Sequence, residues 1–457
     1  MTGKKYLRFG NKLAYGSGAF GNSFCFTFVS SFVLIYLTDS IGLNSAIVGL
    51  LMMISKIFDG VSDVLFGRLI DRAHFKGGKA RPWFMMALVP LALFTFLEFA
   101  IPAWSEGLQY AYFFIVYSLL NAVFYTILDI SYAAMTSFVT KNDNERVQLG
   151  AFRFIFALLS SLAISIATTM LVSAFGGGTA GWRMTALVYA VVMLVTCGIT
   201  VFGVKELPES ELYSEGKEKT EDNESFWKTL LFLFTNKYFL LILGIYIASQ
   251  AMNSIAQAVG IYYVTYLFNN PDLYGLFSMA GMFPMIIGLF LTPLFTKKYS
   301  MYKTNVVSLI AAIVLGIPYI IVGQFKLLVP MMILLAVRGI FTSPITGTLN
   351  ALIAASSHNV YLKTGKKMEG SMFACSSMGM KVGSGIGVAI AGFLLNISGY
   401  DGLAAVQSDG ALRMISFMYL VLPVIALALQ LLFMTGLNVE KENRQLEDKL
   451  KASEAAL

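Results

Sequence analysis

Runs of about twenty apolar residues, separated by short polar stretches, recur from one end of this sequence to the other. Each is about as long as a helix must be to cross the ~30 Å hydrocarbon core of a bilayer. The pattern predicts twelve spanning helices, near 14–37, 46–70, 83–102, 110–136, 150–175, 184–204, 238–268, 272–295, 303–323, 328–354, 371–397 and 411–436. Spans one, seven and ten are long enough to tilt or overhang. The longest polar break, "KELPESELYSEGKEKTEDNESFWK" at 205–228, divides the chain into two groups of six. The expected organisation is therefore a six-helix half (1–204), a linker loop (205–237), a second six-helix half (238–436) and a polar tail (437–457). Two such halves suit a transporter with a site near the membrane midplane, although no residue-level repeat is evident between them.

Composition supports this reading. The 457 residues are 57% hydrophobic and only 13% charged, against about 25% charged in a soluble domain. The basic N-terminus "MTGKKYLRFGNK" precedes an apolar run too long for a signal-peptide core, so that run reads as the first span of a multi-pass protein of the plasma membrane. Placing the N-terminus in the cytoplasm puts 26 of the 33 Lys and Arg on that side, counting Arg68 and Lys303 at the cytoplasmic ends of spans two and nine. Arg183, Lys326 and Arg413 fall outside, and Lys56, Arg153, Arg338 and Lys381 fall within spans. The bias predicts both termini inside. The net charge of +7 then reflects loops facing membrane lipids, not a nucleic-acid surface.

Little suggests an enzyme. Cys25, Cys197 and Cys375 all lie in spans, which argues against a disulfide framework. His74 and His358 belong to no metal-ligand cluster. Nucleophile-elbow, zinc-protease and Walker motifs are absent, and no cofactor is expected. "GSGAFG" at 16–21, with Asp39 downstream, matches a dinucleotide fingerprint in letters only. It lies in a predicted membrane helix without the required strand, so the small residues read as close helix packing, as do those of "GSGIG" at 383–387. The tail "NVEKENRQLEDKLKASEAAL" can form a polar helix and reads as a solvated terminus in preference to a regulatory domain.

The informative residues are the charges inside spans, because each costs roughly 2.5–3.5 kcal/mol at a helix centre. In "SKIFDGVSDVLFGR", spacings of three, four and seven place Lys56, Asp59 and Asp63 on one helical face. Two carboxylates about 6 Å apart along the axis repel unless a cation or a proton lies between them. Asp129 and Thr126, one turn apart in "FYTILDISY", would complete an all-oxygen cage suited to Na⁺. A shared proton is the other solution. Arg153 opens span five, and Lys381 lies mid-span in eleven among Gly379, Gly383 and Gly385. For Lys56 and Arg338 a purely structural ion pair is an equally good reading.

The chain resembles the glycoside–pentoside–hexuronide:cation symporters of the major facilitator superfamily, which include the melibiose carriers. The likeness is carried by "KLAYGSGAFGNSF", "YLTDSIGL", "KIFDGVSDVLFGRLIDRAHFKGGKARPW", "YTILDISY", "NERVQLGAFRF", "KTGKKMEG" and "SSMGMKVGSGIG". It implies an all-α, twelve-helix membrane fold that alternates between outward-open and inward-open states and moves a small sugar with Na⁺ or H⁺. By position it implies that Asp59, Asp63, Thr126 and Asp129 bind the cation, with Asp59 and Asp63 as its carboxylates. Tyr125, Asp129, Arg153 and Lys381 would face the sugar, with Asn22 and Ser23 from span one. Lys56, Asp71, Lys79, Arg81 and Lys381 would serve coupling and the cytoplasmic gate. Ser23 replaces the span-one aspartate of melibiose-type members, which makes the pocket more positive. A hexuronide could then pair with Arg153 or Lys381, while a neutral glycoside could bond Ser23 and Asn22. The family's tryptophan positions read Ala133 and Thr346, which leaves Tyr125, Tyr132, Tyr262 and Tyr263 as stacking candidates. Acidic positions before "KTGKKMEG" read Ala355, His358 and Tyr361. A lysolipid-type substrate is the rival within transport, and a non-transporting membrane sugar sensor is the rival outside it.

Overall fold

A computed structural model describes residues 5–72, 78–208, 234–364, 369–404 and 406–454. Among them twelve helices are long and apolar enough to span a membrane. They are α1 (Phe9–Ile41), α2 (Ser45–Arg72), α3 (Arg81–Glu98), α4 (Glu106–Val139), α5 (Asp143–Ala174), α6 (Gly178–Gly203), α7 (Lys237–Leu267), α8 (Leu273–Tyr299), α9 (Met301–Gln324), α10 (Leu328–Thr364), α11 (Glu369–Ile397) and α12, made of Asp409–Ser416, Phe417–Val421 and Leu422–Thr435. A further helix, α13, covers Val439–Glu454.

The chain forms two compact units. The first comprises residues 1–220 with 260–275 and 388–411. The second comprises 221–259, 276–387 and 412–457. Within the first, α1 packs mainly on α5 and α6. The glycines of "GSGAFG" make that approach possible: a Cβ on Gly16, Gly18 or Gly21 would come within 2.6 Å of Phe156, Thr200 or Cys197. In the second unit α11 meets α7 the same way. A Cβ on Gly383 or Gly387 would lie 2.7 or 2.4 Å from the carbonyls of Ile247 and Ala251, and Ser384 and Ser254 hydroxyls pair at 2.7 Å beside them. Both motifs are therefore packing seams, as their place in apolar runs implies.

A repeat hidden in the sequence emerges from the helix ends. The first N–H groups of a helix have no partner within it and favour an anion. In the first unit Glu206, three residues past α6, accepts from the N–H groups of Lys79, Ala80 and Arg81 at 2.6, 2.9 and 2.5 Å, at the start of α3. In the second, Glu440, just past α12, accepts from Met301 and Tyr302 at the start of α9, at 3.3 and 2.9 Å. The same pairing, sixth helix capping third, occurs in each half. Packing follows it: α3 lies on α4 and α6, as α9 lies on α10 and α12.

The tail differs from expectation. Instead of a solvated terminus, α13 docks on α10. Asn359 donates to Asn443 at 2.8 Å, Lys363 pairs with Glu442 at 2.6 Å and His358 with Glu447 at 2.8 Å. Val439 and Asn443 are buried by this packing. The polar composition of the tail concealed a face built for partners.

At the other terminus, Glu145 in the first turn of α5 accepts from the N–H groups of Tyr6 and Leu7 at 3.1–3.2 Å and from the Thr140 hydroxyl at 2.6 Å. Burial alone would raise the Glu145 pKa. The Thr140 and backbone hydrogen bonds, with the nearby Lys12 charge, bring it below the usual glutamate value. A carboxyl with a depressed native pKa stabilises the fold above its unfolded pKa, and that contribution fades as pH falls through the native value. Amide protection factors at Tyr6 and Leu7, corrected for the intrinsic pH dependence of exchange, should thus be high at neutral pH and fall below about pH 4.3. Glu145→Gln should exchange faster at neutral pH already; exchange insensitive to both changes would show that Glu145 does not anchor the segment.

Candidate functional site

Helix α4 organises the site. It contains a π-helical turn at Leu120–Tyr125, a local widening often found where function needs an altered side-chain phase. The turn sets Thr126 five residues from the Asn121 carbonyl, which its hydroxyl approaches at 3.1 Å. That hydroxyl also donates to Asp59 Oδ1 of α2 at 2.7 Å. The second oxygen, Asp59 Oδ2, lies 3.8 Å from Lys56 Nζ. Lys56 in turn donates to Asn121 Oδ1 at 2.9 Å and stands 5.6 Å from the Phe26 ring of α1. Asp59 and Lys56 are buried, at 3% and 6% exposure. At an effective dielectric constant near 20, their attraction is about 4 kcal/mol.

One turn further along α4, Asp129 faces α1 and α5. Asn22 Nδ2 donates to Asp129 Oδ1 at 2.7 Å, and Arg153 Nη2 pairs with the same oxygen at 3.0 Å. Behind the guanidinium lies the Tyr132 ring, 5.1 Å away, itself stacked on Tyr15. Unlike the Asp59 pair, Arg153 and Asp129 remain about a third exposed, at 36% and 35% of their side chains. Helix α4 thus touches a buried charge pair on α2 through Thr126 and, three residues on, carries Asp129 in a partly open pair.

A family model described as MFS/sugar transport protein matches residues 14–441. The chain belongs to that family. Its members are membrane transporters, so the chain is a multi-pass integral membrane transporter and not an enzyme. Relatives agree along nearly the full length. The isoprimeverose transporter of Lactiplantibacillus pentosus is 27% identical, over 97% of this chain and 92% of that one. The symporter YnaJ of Bacillus subtilis, itself uncharacterised, is 28% identical over 96% and 95%. These fit the glycoside–pentoside–hexuronide assignment. The fold matches the crystal structures of the nucleoside transporter NupG (TM-score 0.67, 13% identity, 94% of this chain and 99% of that one) and of a D-xylose–proton symporter (0.66, 12%, 93% and 97%).

Within this MFS transporter, the expected residues are distributed as follows. Asp59 and Thr126 meet directly, and Asp129 joins Asn22 and Arg153. Asp63 is half-buried one turn beyond Asp59 on α2. Among the described residues no three His, Cys, Asp or Glu side chains gather closely enough to hold a metal ion, and Asp129 is turned to Arg153. Ser23 is half-buried on α1. Lys381 is half-buried on α11, in the second unit. Lys79 and Arg81 are pinned through their backbone to Glu206, and Arg81 Nε also donates to the Val201 carbonyl at 2.8 Å. Asp71 belongs to α2, but its side chain lies outside the described residues.

Two expectations are corrected. Of the four tyrosines considered for stacking, Tyr132, Tyr262 and Tyr263 are fully buried. Tyr132 is fixed by its hydroxyl to the Tyr15 carbonyl at 2.6 Å, and Tyr262 to Thr38 at 2.8 Å. Only Tyr125 keeps an open edge. Arg338, considered for an interhelical ion pair, has no acid partner among the described residues; its guanidinium lies 5.5 Å from the Tyr319 ring of α9.

Three polar groups escaped the sequence reading. Asn121 interrupts the apolar run "YSLLNAVFY", and that interruption was the available signal. Glu98 closes α3 with 1% exposure, both of its carboxylate oxygens buried and without a hydrogen-bond partner among the described residues. Asp39, which has nothing to do with a nucleotide, accepts from Tyr266 at 2.5 Å, from Tyr400 and from Thr38 at 2.6 Å.

Proposed function

We propose that this transporter carries a neutral glycoside into the cell together with Na⁺ or H⁺, with both termini in the cytoplasm. The supporting observation is the three-residue offset of Thr126 and Asp129 on α4, a rise of about 4.5 Å. Thr126 touches the cation-candidate Asp59, and Asp129 touches the sugar-candidate Arg153. A shift of α4 on binding either ligand therefore alters the other's partners, which is what symport requires.

In this reading Asp59 and Asp63 supply carboxylate ligands and Thr126 a hydroxyl oxygen. Lys56 balances the Asp59 charge during ion-free steps and yields to the entering cation. The sugar binds Arg153, Asp129 and Asn22 through its hydroxyls, with one face against Tyr125. Lys381 on α11 is the coupling residue of the second unit. Asp129 already compensates the Arg153 charge, which favours a neutral ligand over a hexuronide despite Ser23. The isoprimeverose named for one relative is a reasonable first substrate.

Competition against uptake of a working glycoside tests the substrate class. Neutral glycosides should compete, and the matching glucuronides should compete at least about tenfold less well at neutral pH. Stronger competition by the glucuronides would mean that the pocket selects anions.

A further inference from the structure

On the second unit, α8, α9 and α10 enclose a groove of about 520 Å³, within the size range of small-molecule sites. Its walls are Leu291, Phe295, Val306, Val307, Ile340 and Phe341. A sugar's hydroxyls would find almost no partners there. Phe295 and Val307 are 50% and 65% exposed, so the groove opens sideways, where a spanning helix meets lipid. Its inner end closes at Gly288, where α8 rests on α10: a Cβ there would fall within 2.6 Å of the Ile340 carbonyl.

The other end is polar. Tyr299, Tyr302 and Lys303 line it, and Lys297 and Lys298 occupy the adjoining last turn of α8. All three lysines are exposed, and the Lys298 ammonium lies 5.1 Å from the Tyr299 ring. Glu440, which reaches the start of α9, is engaged by the N–H groups of Met301 and Tyr302. From Tyr299 to Gly288 the groove runs eleven residues along α8, about 16 Å. That is half the ~30 Å hydrocarbon core, the depth of one leaflet.

We propose that this groove is a binding site for one anionic phospholipid, with an acyl chain between α8, α9 and α10 and its phosphate on Lys297, Lys298 and Lys303. Apolar lining, leaflet-matched depth, aromatic residues at the interface and a basic mouth are each what such a ligand requires. No residue of the groove is a sugar or cation candidate; those lie on α1, α2, α4, α5 and α11.

The test uses the full-length protein, delipidated in detergent and titrated with phosphatidylglycerol or phosphatidylcholine, with bound lipid counted by native mass spectrometry. The wild type should retain one phosphatidylglycerol with about tenfold or greater preference over phosphatidylcholine. The K297Q/K298Q/K303Q variant should lose that preference. Val307→Trp, which fills the groove and leaves the lysines in place, should lose retention of both lipids. Melting temperatures near that of the wild type would confirm that both variants are folded. Equal retention of the two lipids by the wild type, or retention unchanged in both variants, would overturn the proposal.

Discussion

Asp59→Asn is expected to abolish concentrative uptake while sugar-driven exchange across the membrane continues. The amide keeps the shape of the carboxylate and can still accept from Thr126, but it carries no charge for a cation or proton. It also breaks the buried Lys56–Asp59 pair, a type of change that costs about 3–5 kcal/mol. Reduced stability alone could therefore mimic lost transport. A second substitution separates the two effects. Lys56→Met in the Asp59→Asn background removes the buried ammonium as well and should recover most of the melting temperature, yet coupling should stay absent. Accumulation restored in the double variant, or retained in Asp59→Asn, would show that Asp59 is a structural partner of Lys56 and no cation ligand.

The second large effect is expected at Asp39. This carboxylate gathers hydroxyls from α7 (Tyr266), from the connection between α11 and α12 (Tyr400) and from its own helix (Thr38). Hydrogen bonds to a charged acceptor contribute about 1.5–3 kcal/mol each. Asp39→Ala should therefore raise amide exchange in segments 260–275 and 388–411 by about a hundredfold or more, equivalent to ~3 kcal/mol. Asp39→Asn, whose amide oxygen still accepts, should lie between the two. The proposed transport depends on this contact being made, so the alanine variant should also accumulate less sugar. Unchanged exchange in both segments would mean that the tyrosines are held by packing alone.

Much of this architecture was legible in the sequence because the bilayer imposes a length on every span. The twelve helices are where apolar runs predict them, with differences at the ends. The α1 helix continues to Ile41 through a π-helical turn, and α10 runs on to Thr364 where the apolar run had stopped near 354. The site was legible for a related reason: Asp59, Asp129 and Arg153 are costly in a membrane helix and invite a partner. Identifying the partner was harder. Asn121 meets Lys56 only because α4 is locally widened, which no helical wheel anticipates. Glu206 and Glu440 cap helices more than a hundred residues away in sequence, so the repeat they reveal is written in backbone geometry and not in similar letters. The docking of α13 depends on Asn443, Glu442 and Glu447 matching α10, and a polar tail gives no hint of that.

The most direct test of cation coupling is uptake of isoprimeverose, or another accepted neutral glycoside, into vesicles containing the purified protein, with sodium and pH gradients imposed separately. Coupling through Asp59 predicts that one of the two gradients drives the internal sugar above the external concentration, that dissipating this gradient releases the excess, and that the K56M/D59N variant only equilibrates. Sugar that enters the wild type but never exceeds the external concentration under either gradient would contradict the account.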